Sequence, residues 1–345
     1  MFRKYMPTSE LRKITIEDVA RIAGTSKGTA SRALASKGYV AEQTRLAVLS
    51  AAKQLGFEPN IHAKRLLNGA SDVISMICFG TDLDVAVRKN LMVEKLITEM
   101  GFHVPVYSGR SGSDRDVATL ISQIRRERPR ALVCASLEFP LGALSELQTF
   151  CESGGFMVCY DTPVDLDCHK VVFDREHNTY AAAKHLVELG HTRIGFYYNG
   201  LLLPEQRFAG FCRALAERGL EPDPDWIFQG RYEEGGARTA RQFLSLKERP
   251  TAMCMMNDHA ASAFVAEVQR HGVEVPRDLS VVSHDNLPIA QYAATPLTSM
   301  SNPIEAIAHS VVELLRDGLD TAQGRRSKTI VCRGELIDRG SAIPR

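Results

Sequence analysis

Apolar residues at Ile16, Val19, Ala20 and Ile22 fall at helical spacing, and a glycine, Gly24, interrupts the pattern two residues later. Residues three and four apart share one face of a helix, so this stretch reads as a short amphipathic helix. Thr15 precedes it and Asp18 follows three later, a capping box with Asp in the place of Glu. Gly24 is a natural helix end, because glycine accepts the left-handed cap conformation. Ser26 is placed to cap a second helix, Lys27 to about Ala35, with Ala30, Ala33 and Leu34 inward and Lys27, Gly28, Ser31 and Arg32 outward. A third helix, Glu42 to Leu55, offers Leu46, Leu49, Ala52 and Leu55 as its inward set, and Gly56 stops it.

Two short helices around a glycine turn form a helix-turn-helix, whose second helix enters the major groove of DNA. Small outward residues on that helix let it approach base edges closely. Pro59 and Asn60 then read as a stop followed by a cap, and residues 61–67 as a helix too short to be stable alone. Ala63, Lys64 and Leu66 suit a helix that orders on DNA; a plain interdomain linker is the competing reading.

From about Ser71 the texture changes. Apolar runs VISMICF, HVPVYS, ALVCAS, FMVCYD, KVVFD, RIGFYY, AMCMMN and LSVVSHD alternate with amphipathic stretches such as NTYAAAKHLVELG and QRFAGFCRALAERG. Near-continuous apolar strands alternating with helices predict parallel sheets covered on both faces. In such folds ligands gather beyond the carboxyl ends of the strands. Those ends supply Asp161, Asp174, Arg207, Asn257 with Asp258, and Asp285 with Asn286. Any one of these reads equally as a turn or a cap, Asp258 as the cap of the next helix. Together they predict a cleft for a hydroxyl-rich or otherwise polar ligand, since carboxylates accept from hydroxyls and arginine donates in a fork.

Charge sharpens the division. Residues 1–70 hold twelve Lys/Arg against five Asp/Glu, and the remainder thirty against thirty-six, which the net charge of +1 conceals. A basic head on a mildly acidic body points to nucleic acid as the partner of the head. The 345 residues give room for two or three domains. No apolar run is long enough to span a membrane, and the basic N-terminus has no apolar stretch behind it, so no membrane partner is expected and the cytoplasm is the expected location. None of the eight cysteines forms a C-x-x-C pair, and most sit in apolar runs, which reads as buried free thiols with no metal or cofactor. Trp226, the sole tryptophan, lies in a connection and reads as packing.

The head resembles the lactose/galactose repressor (LacI/GalR) family, whose pattern runs T-I-x-D-V-A-x-x-A-G-V-S-x-x-T-V-S-R-x-L. Thr15, Ile16, Asp18, Val19, Ala20, Ala23, Gly24, Ser26, Thr29, Ser31, Arg32 and Leu34 stand in register with it, followed by Thr44, Arg45 and LGFEPNIHAKRL. The resemblance implies base reading by Lys27, Gly28 and Arg32 and phosphate contacts from Thr15, Thr29 and Ser31. It also implies a hinge helix around Asn60, Ala63 and Lys64, with Leu66 as a minor-groove wedge. Because Gly28 has no side chain, direct readout falls to Lys27 and Arg32, with Lys27 able to donate to guanine.

The body is similar to the same family in HLVELGHTRIGFYYN, EQRFAGFCRALAERGL, RPTAMCMMNDHAASAF, VPRDLSVVSHDN and PLTSMSNP. The implied fold is an all-α helix-turn-helix head with a hinge helix, joined to an α/β, two-lobed, periplasmic-binding-protein-like (type I) body with parallel sheets. The expected domains are residues 13–58, a hinge helix and linker over 59–70, and an effector-binding and dimerisation domain over 71–345. Arg207, Asn257 and Asp285 match effector-contacting positions, with Asp161 and Phe173 behind them. Two departures stand out. The aromatic N-P-F-F/Y segment of the family is replaced by CFGTDLDVAVRKN, and Ser283 and His284 replace a Gly-aromatic pair. A stacking platform for a sugar or base is therefore missing from the first lobe, which leaves an unusual effector, weak binding or none.

The expected function is a sequence-specific transcriptional regulator, a repressor, acting as a homodimer on a palindromic operator in double-stranded DNA, with a small-molecule effector between the lobes. A regulator with a degraded pocket, controlled by abundance or a protein partner, is the alternative, and a solute receptor a remote one. His169, His191, His259 and His284 are scattered and match no catalytic motif, so no enzyme is expected.

Overall fold

The computed structural model describes residues 14–35, 38–57, 71–79, 84–109, 114–136, 141–162, 166–198, 204–320 and 327–345. The chain divides into two compact units, Met1–Ser71 and Asp72–Arg345.

The first unit holds three helices, α1 (Ile16–Ile22), α2 (Lys27–Ala35) and α3 (Glu42–Leu55). Asp18 closes the predicted capping box, accepting from the Thr15 backbone N–H at 3.0 Å and from the Thr15 hydroxyl at 2.9 Å. Gly24, at φ +64°, turns the chain, and Thr25 donates back to Ala20 O at 2.9 Å. The Ser26 hydroxyl accepts from Thr29 N–H at 3.1 Å and starts α2.

The core of this unit is Val19, Ala20, Ala30, Ala33, Val40, Val48, Ala51 and Ala52. Two expectations are corrected here. Leu46 and Leu49 are 58% and 46% exposed, and Val48 and Ala51 take the inward face of α3 with Ala52. Ile22 is also exposed, and Ala23 packs in its place. Helices this short meet through small side chains, so the seam goes to alanine and valine and the larger leucines are displaced to its flanks.

The second unit contains two six-stranded sheets. The first has the order β11-β5-β4-β3-β1-β2, formed by β1 (Ile74–Phe79), β2 (Val106–Gly109), β3 (Ala131–Ser136), β4 (Met157–Tyr160), β5 (His169–Phe173) and β11 (Thr329–Cys332). The second has the order β12-β10-β9-β8-β6-β7, formed by β6 (Ile194–Tyr198), β7 (Ile227–Gln229), β8 (Ala252–Met255), β9 (Ser280–Asp285), β10 (Thr298–Ser301) and β12 (Leu336–Ile337). All pairings are parallel except β10 with β12.

Every strand predicted from an apolar run is present. In β3, Ala131, Val133 and Ala135 face one core cluster and Leu132 and Cys134 the other, which is why the run shows no polar alternation. The first lobe's helices are α4 (Asp84–Glu99), α5 (Asp114–Glu127), α6 (Leu141–Glu152) and α12 (Ile304–Asp320). The second lobe's are α7 (Arg175–Glu188), α8 (Pro204–Ala216), α9 (Tyr232–Ser245), α10 (Asp258–Arg270) and α11 (Pro288–Tyr292). Ile307, Ala308, Val311 and Leu315 of α12 pack on Ile74, Met76 and Val158 of the first sheet, so a helix late in the chain completes the early lobe.

The chain therefore passes between lobes three times, after β5, after β10 and after β11. Side chains tie these crossings together. Asn178 Nδ2 donates to Ser301 O at 3.1 Å, and the Gly334 N–H donates to Asn178 Oδ1 at 3.0 Å. Asp174 caps α7 by accepting from His177 N–H at 3.0 Å and pairs with Arg333 at 3.0 Å. His191 is structural, with Nδ1 2.9 Å from the Thr251 hydroxyl and Nε2 3.0 Å from that of Ser280. The eight cysteines are free thiols, and burial pushes Cys78 and Cys254 up to about 12, which keeps them protonated and inert. Trp226 packs at the edge of the second lobe's core and donates Nε1–H to Glu248 O at 3.1 Å. Among the described residues, no helix is long and apolar enough to cross a membrane.

Candidate functional site

On the head, the outward face of α2 is set by the turn at Gly24 and the cap at Ser26. Lys27, Gly28 and Arg32 are exposed, and Thr29 and Ser31 are half-buried beside them. Space is open around Gly28: a Cβ there would meet only Ser26 Oγ, at 3.9 Å. Lys27 Nζ pairs with Glu17 at 2.8 Å, and both side chains are about two-thirds exposed. Such a pair contributes no more than about 1 kcal/mol, so Lys27 can leave it for another acceptor. Arg32 Nη2 lies 3.4 Å from Thr29 Oγ1, and the Thr29 hydroxyl is 2.9 Å from that of Ser26. Thr15 has its hydroxyl engaged by Asp18. Lys27, the first residue of α2, sets an exposed cation at that helix's N-terminus, a combination that attracts phosphate. Asn60, Ala63, Lys64 and Leu66 lie outside the described residues.

In the body, charged side chains from five separate elements converge between the two sheets. Asp161, directly after β4, is buried and bonded to both Lys89 of α4 and Arg175, the first residue of α7. Arg175 Nη2 is 3.2 Å from Asp161 Oδ1, so this ion pair joins the first lobe to the second. Burial alone would raise the Asp161 carboxyl, but the charges of Lys89 and Arg175 and their hydrogen bonds hold it below the usual value. Beneath them lies Phe173 of β5, its ring 5.8 Å from Lys89 Nζ and 5.3 Å from the Arg175 guanidinium. Arg207 of α8 donates Nη1–H to Met256 O at 3.2 Å. Burial, followed by the like charge of Arg175, pulls its proton affinity down to about 10.

Asp285, at the end of β9, accepts from Asn302 Nδ2 at 3.3 Å, and burial raises its carboxyl despite the nearby Arg207. Asp161 and Asp285 sit at φ +53° and +97°, a region non-glycine residues rarely enter and one that Asp tolerates better than most. Asn257 caps α10 by accepting from Ala260 N–H at 2.7 Å, and among the described residues its Nδ2 has no partner. Nor do the buried Arg175 Nε, Arg207 Nε and Asn302 Oδ1. His284 Nδ1 is 2.9 Å from Met255 O, and burial with the charge of Arg207 pushes the ring down to about 3, so it is neutral.

Asp161, Asn257 and Asp285 at the strand ends thus gather with Arg207 in one polar cluster, and two of the other strand-end groups act elsewhere. Asp258 is not the cap expected of it. Fully buried, it accepts from the hydroxyls of Ser283 and Ser299 and from Leu287 N–H, holding the β9 and β10 ends together while Asn257 does the capping. Burial and then the charge of Asp285 push its carboxyl up to about 7. Asp174 belongs to the crossings, where it caps α7 and pairs with Arg333. Lys89 and Arg175 were missed in the sequence. A signal for Lys89 existed: it occupies the buried face of α4 shared by Val85, Ala86, Val93 and Ile97. A separate 710 Å³ depression, lined by Arg125, Arg126, Arg128 and Phe150 among others, lies where α5 and α6 finish, at the opposite ends of the strands, and holds none of these groups.

Residues 15–60 match the family described as bacterial regulatory proteins, lacI family, and residues 183–342 match a periplasmic binding protein-like domain. The chain is 30% identical over 306 residues to the HTH-type transcriptional repressor PurR of Aliivibrio salmonicida (strain LFI1238), covering 87% of this chain and 91% of that protein. It is 29% identical over 339 residues to the HTH-type transcriptional regulator DegA of Bacillus subtilis (strain 168), covering 96% and 99%. Its fold is similar to a crystal structure of the lac repressor dimer bound to operator and the anti-inducer ONPF, with a TM-score of 0.85, 23% identity, and 96% and 100% of the two chains covered.

Proposed function

Because the chain belongs to the lacI family of bacterial regulatory proteins, we propose that it is a dimeric repressor that reads a palindromic operator with α2 and adjusts its grip when a small polar ligand enters the interlobe cleft. The observation that carries the DNA-binding part is the outward face of α2. It is small at Gly28, cationic at Lys27 and Arg32, and set by the glycine turn at Gly24 and the Ser26 cap.

In this reading Lys27 and Arg32 donate to base edges in the major groove, Gly28 lets the backbone approach, and Thr15, Thr29 and Ser31 bond to phosphates. The head spans residues 13–58, the hinge helix and linker 59–70, and the effector-binding and dimerisation domain 71–345. Asn60, Ala63 and Lys64 lie on the hinge helix, and Leu66 wedges into the minor groove at the operator centre, unstacking a base step for about a few kcal/mol that contacts along the bent DNA offset. Two copies on a two-fold axis match a palindrome. Asp161, Phe173, Arg207, Asn257 and Asp285 line the effector site. A ligand that favours one lobe arrangement changes whether paired hinge segments can order on DNA, by no more than its differential affinity for the two states. The missing aromatic pair of the first lobe favours a second reading, in which the cleft takes no effector and abundance sets repression.

An operator selected from random double-stranded DNA by the full-length protein tests the first part. Arg32→Ala is expected to weaken binding to that operator by about 10- to 100-fold, the worth of one good base contact, while melting of the body is unchanged. Equal affinity of variant and parent would remove Arg32 from base reading. Leu66→Ala is expected to reduce both affinity and the bend measured by energy transfer between labelled DNA ends; an unaltered bend would end the wedge assignment.

A further inference from the structure

Three cations meet in the cleft, and their surroundings are better matched to a negative charge than to a neutral hydroxylated molecule. Asp161 serves two of them, Lys89 and Arg175. Among the described residues Arg207 has no carboxylate within ion-pair distance and no partner at Nε, while Nη1 goes to the Met256 carbonyl and sulfur. Arg175 likewise keeps Nε unmet although its Nη2 is paired. A guanidinium recognises a planar anion through such N–H edges, and the pairing is strongest where water is excluded. Asn257 Nδ2 adds a further donor without a partner among the described residues.

The aromatic ring in the cleft leads to the same conclusion. A neutral sugar or base would stack on Phe173, but Lys89 and Arg175 already stand against that ring. The segment CFGTDLDVAVRKN, which stands where the family carries an aromatic pair, has Phe79 at the end of β1 and no such pair.

We propose that the cleft takes a small organic anion, carrying a carboxylate or a phosphate, held by Arg207 and Arg175 with Lys89 behind them. This rests on the cleft being an effector site. Asp161 is then an internal stand-in for the ligand. Its carboxylate already spans the lobes by holding Lys89 from one side and Arg175 from the other. An incoming anion competes with it for Arg175 and substitutes a ligand-mediated connection between the lobes for the internal one. Ligand charge is thereby coupled to lobe arrangement at one residue. Burial and the like charge of Arg175 lower the proton affinity of Arg207 further than Asp285 and Asp161, acting on it from beyond ion-pair distance, restore it.

Calorimetric titration of the full-length protein with citrate, gluconate and glucose 6-phosphate, against glucose and adenine as neutral probes, tests this. Binding by an acid but by neither neutral probe is expected, weakening as salt rises. Arg207→Gln is expected to weaken that binding at least about tenfold, and Arg207→Lys, which keeps the charge and loses the fork, to weaken it by a smaller factor. The carboxylates and the phosphate ester separate the two sources of anion. Binding of glucose or adenine that depends on Arg207, with no acid bound, would overturn the anion while leaving an effector cleft. Acid binding unchanged in Arg207→Gln and Arg175→Gln would place the acid elsewhere and overturn the proposal. If no probe binds and operator affinity responds to none, the effector reading falls and the anion with it.

Discussion

Asp161→Ala is expected to lower the unfolding free energy of the body by about 3–5 kcal/mol, because it leaves Lys89 and Arg175 buried without their shared counter-charge. Lys89 is 2% exposed, Arg175 6% and Asp161 8%, so water cannot replace the lost carboxylate without opening the lobes. Urea unfolding followed by the fluorescence of Trp226 measures the change, and a loss under about 1 kcal/mol would mean that the pair behaves as a solvated surface bridge. The pH dependence has a definite sign. The folded Asp161 carboxyl lies below its ordinary value of 3.8, so its contribution is present above that value and is lost as pH falls through the lowered folded value. The parent should therefore lose this stability on acidification, and Asp161→Ala should lack that part of the acid transition. The same variant separates structure from regulation, since removing the internal anion also frees Arg175 for a ligand.

Gly334→Ala is expected to destabilise the body by about 2–4 kcal/mol through crowding and broken hydrogen bonds at the crossings. A Cβ at Gly334 would fall well inside contact distance of the Ser301 carbonyl oxygen and of Asn178 Nδ2. Neither neighbour can yield alone. Ser301 N–H donates to Glu335 O at 2.7 Å, and Glu335 N–H donates to the Ser301 hydroxyl at 2.8 Å. Asn178 bonds to both crossing segments at once. Admitting a methyl group means separating the second crossing from the third. Melting temperature reads the cost. Under the effector reading, the variant's operator affinity should also respond less to ligand, because the crossings are where the lobes hinge. An unchanged melting temperature would show that the segments can part freely.

Much of the head was legible because its signals are local. Thr15 with Asp18, Gly24 and Ser26 act within three residues of themselves, and each does in the structure what its spacing implies. Helical period identified the faces less well. It placed Leu46, Leu49 and Ile22 inside, whereas close approach of short helices selects Val48 and Ala51 of α3 and Ala23, the C-cap of α1. The long strands of the body were legible as apolar runs because both faces of each sheet are covered. β7, β10, β11 and β12 were not: each is two to four residues long and lies at or beside a sheet edge, where the neighbour that pairs with it defines it.

The sequence by itself determined the helix-turn-helix, the strand–helix alternation of the body, and the polar groups at five strand ends, because caps, turns and periodicity are encoded within a few residues. Only the tertiary structure decided what those polar groups do. Asp258 became an internal tie, Asp174 a hinge contact, and Asp161 the partner of Lys89 and Arg175. Lys89 is seventy-two residues from Asp161, and Arg207 approaches from a different helix again. Charge compensation inside a protein depends on distance in space and on exclusion of water, and neither can be read along the chain.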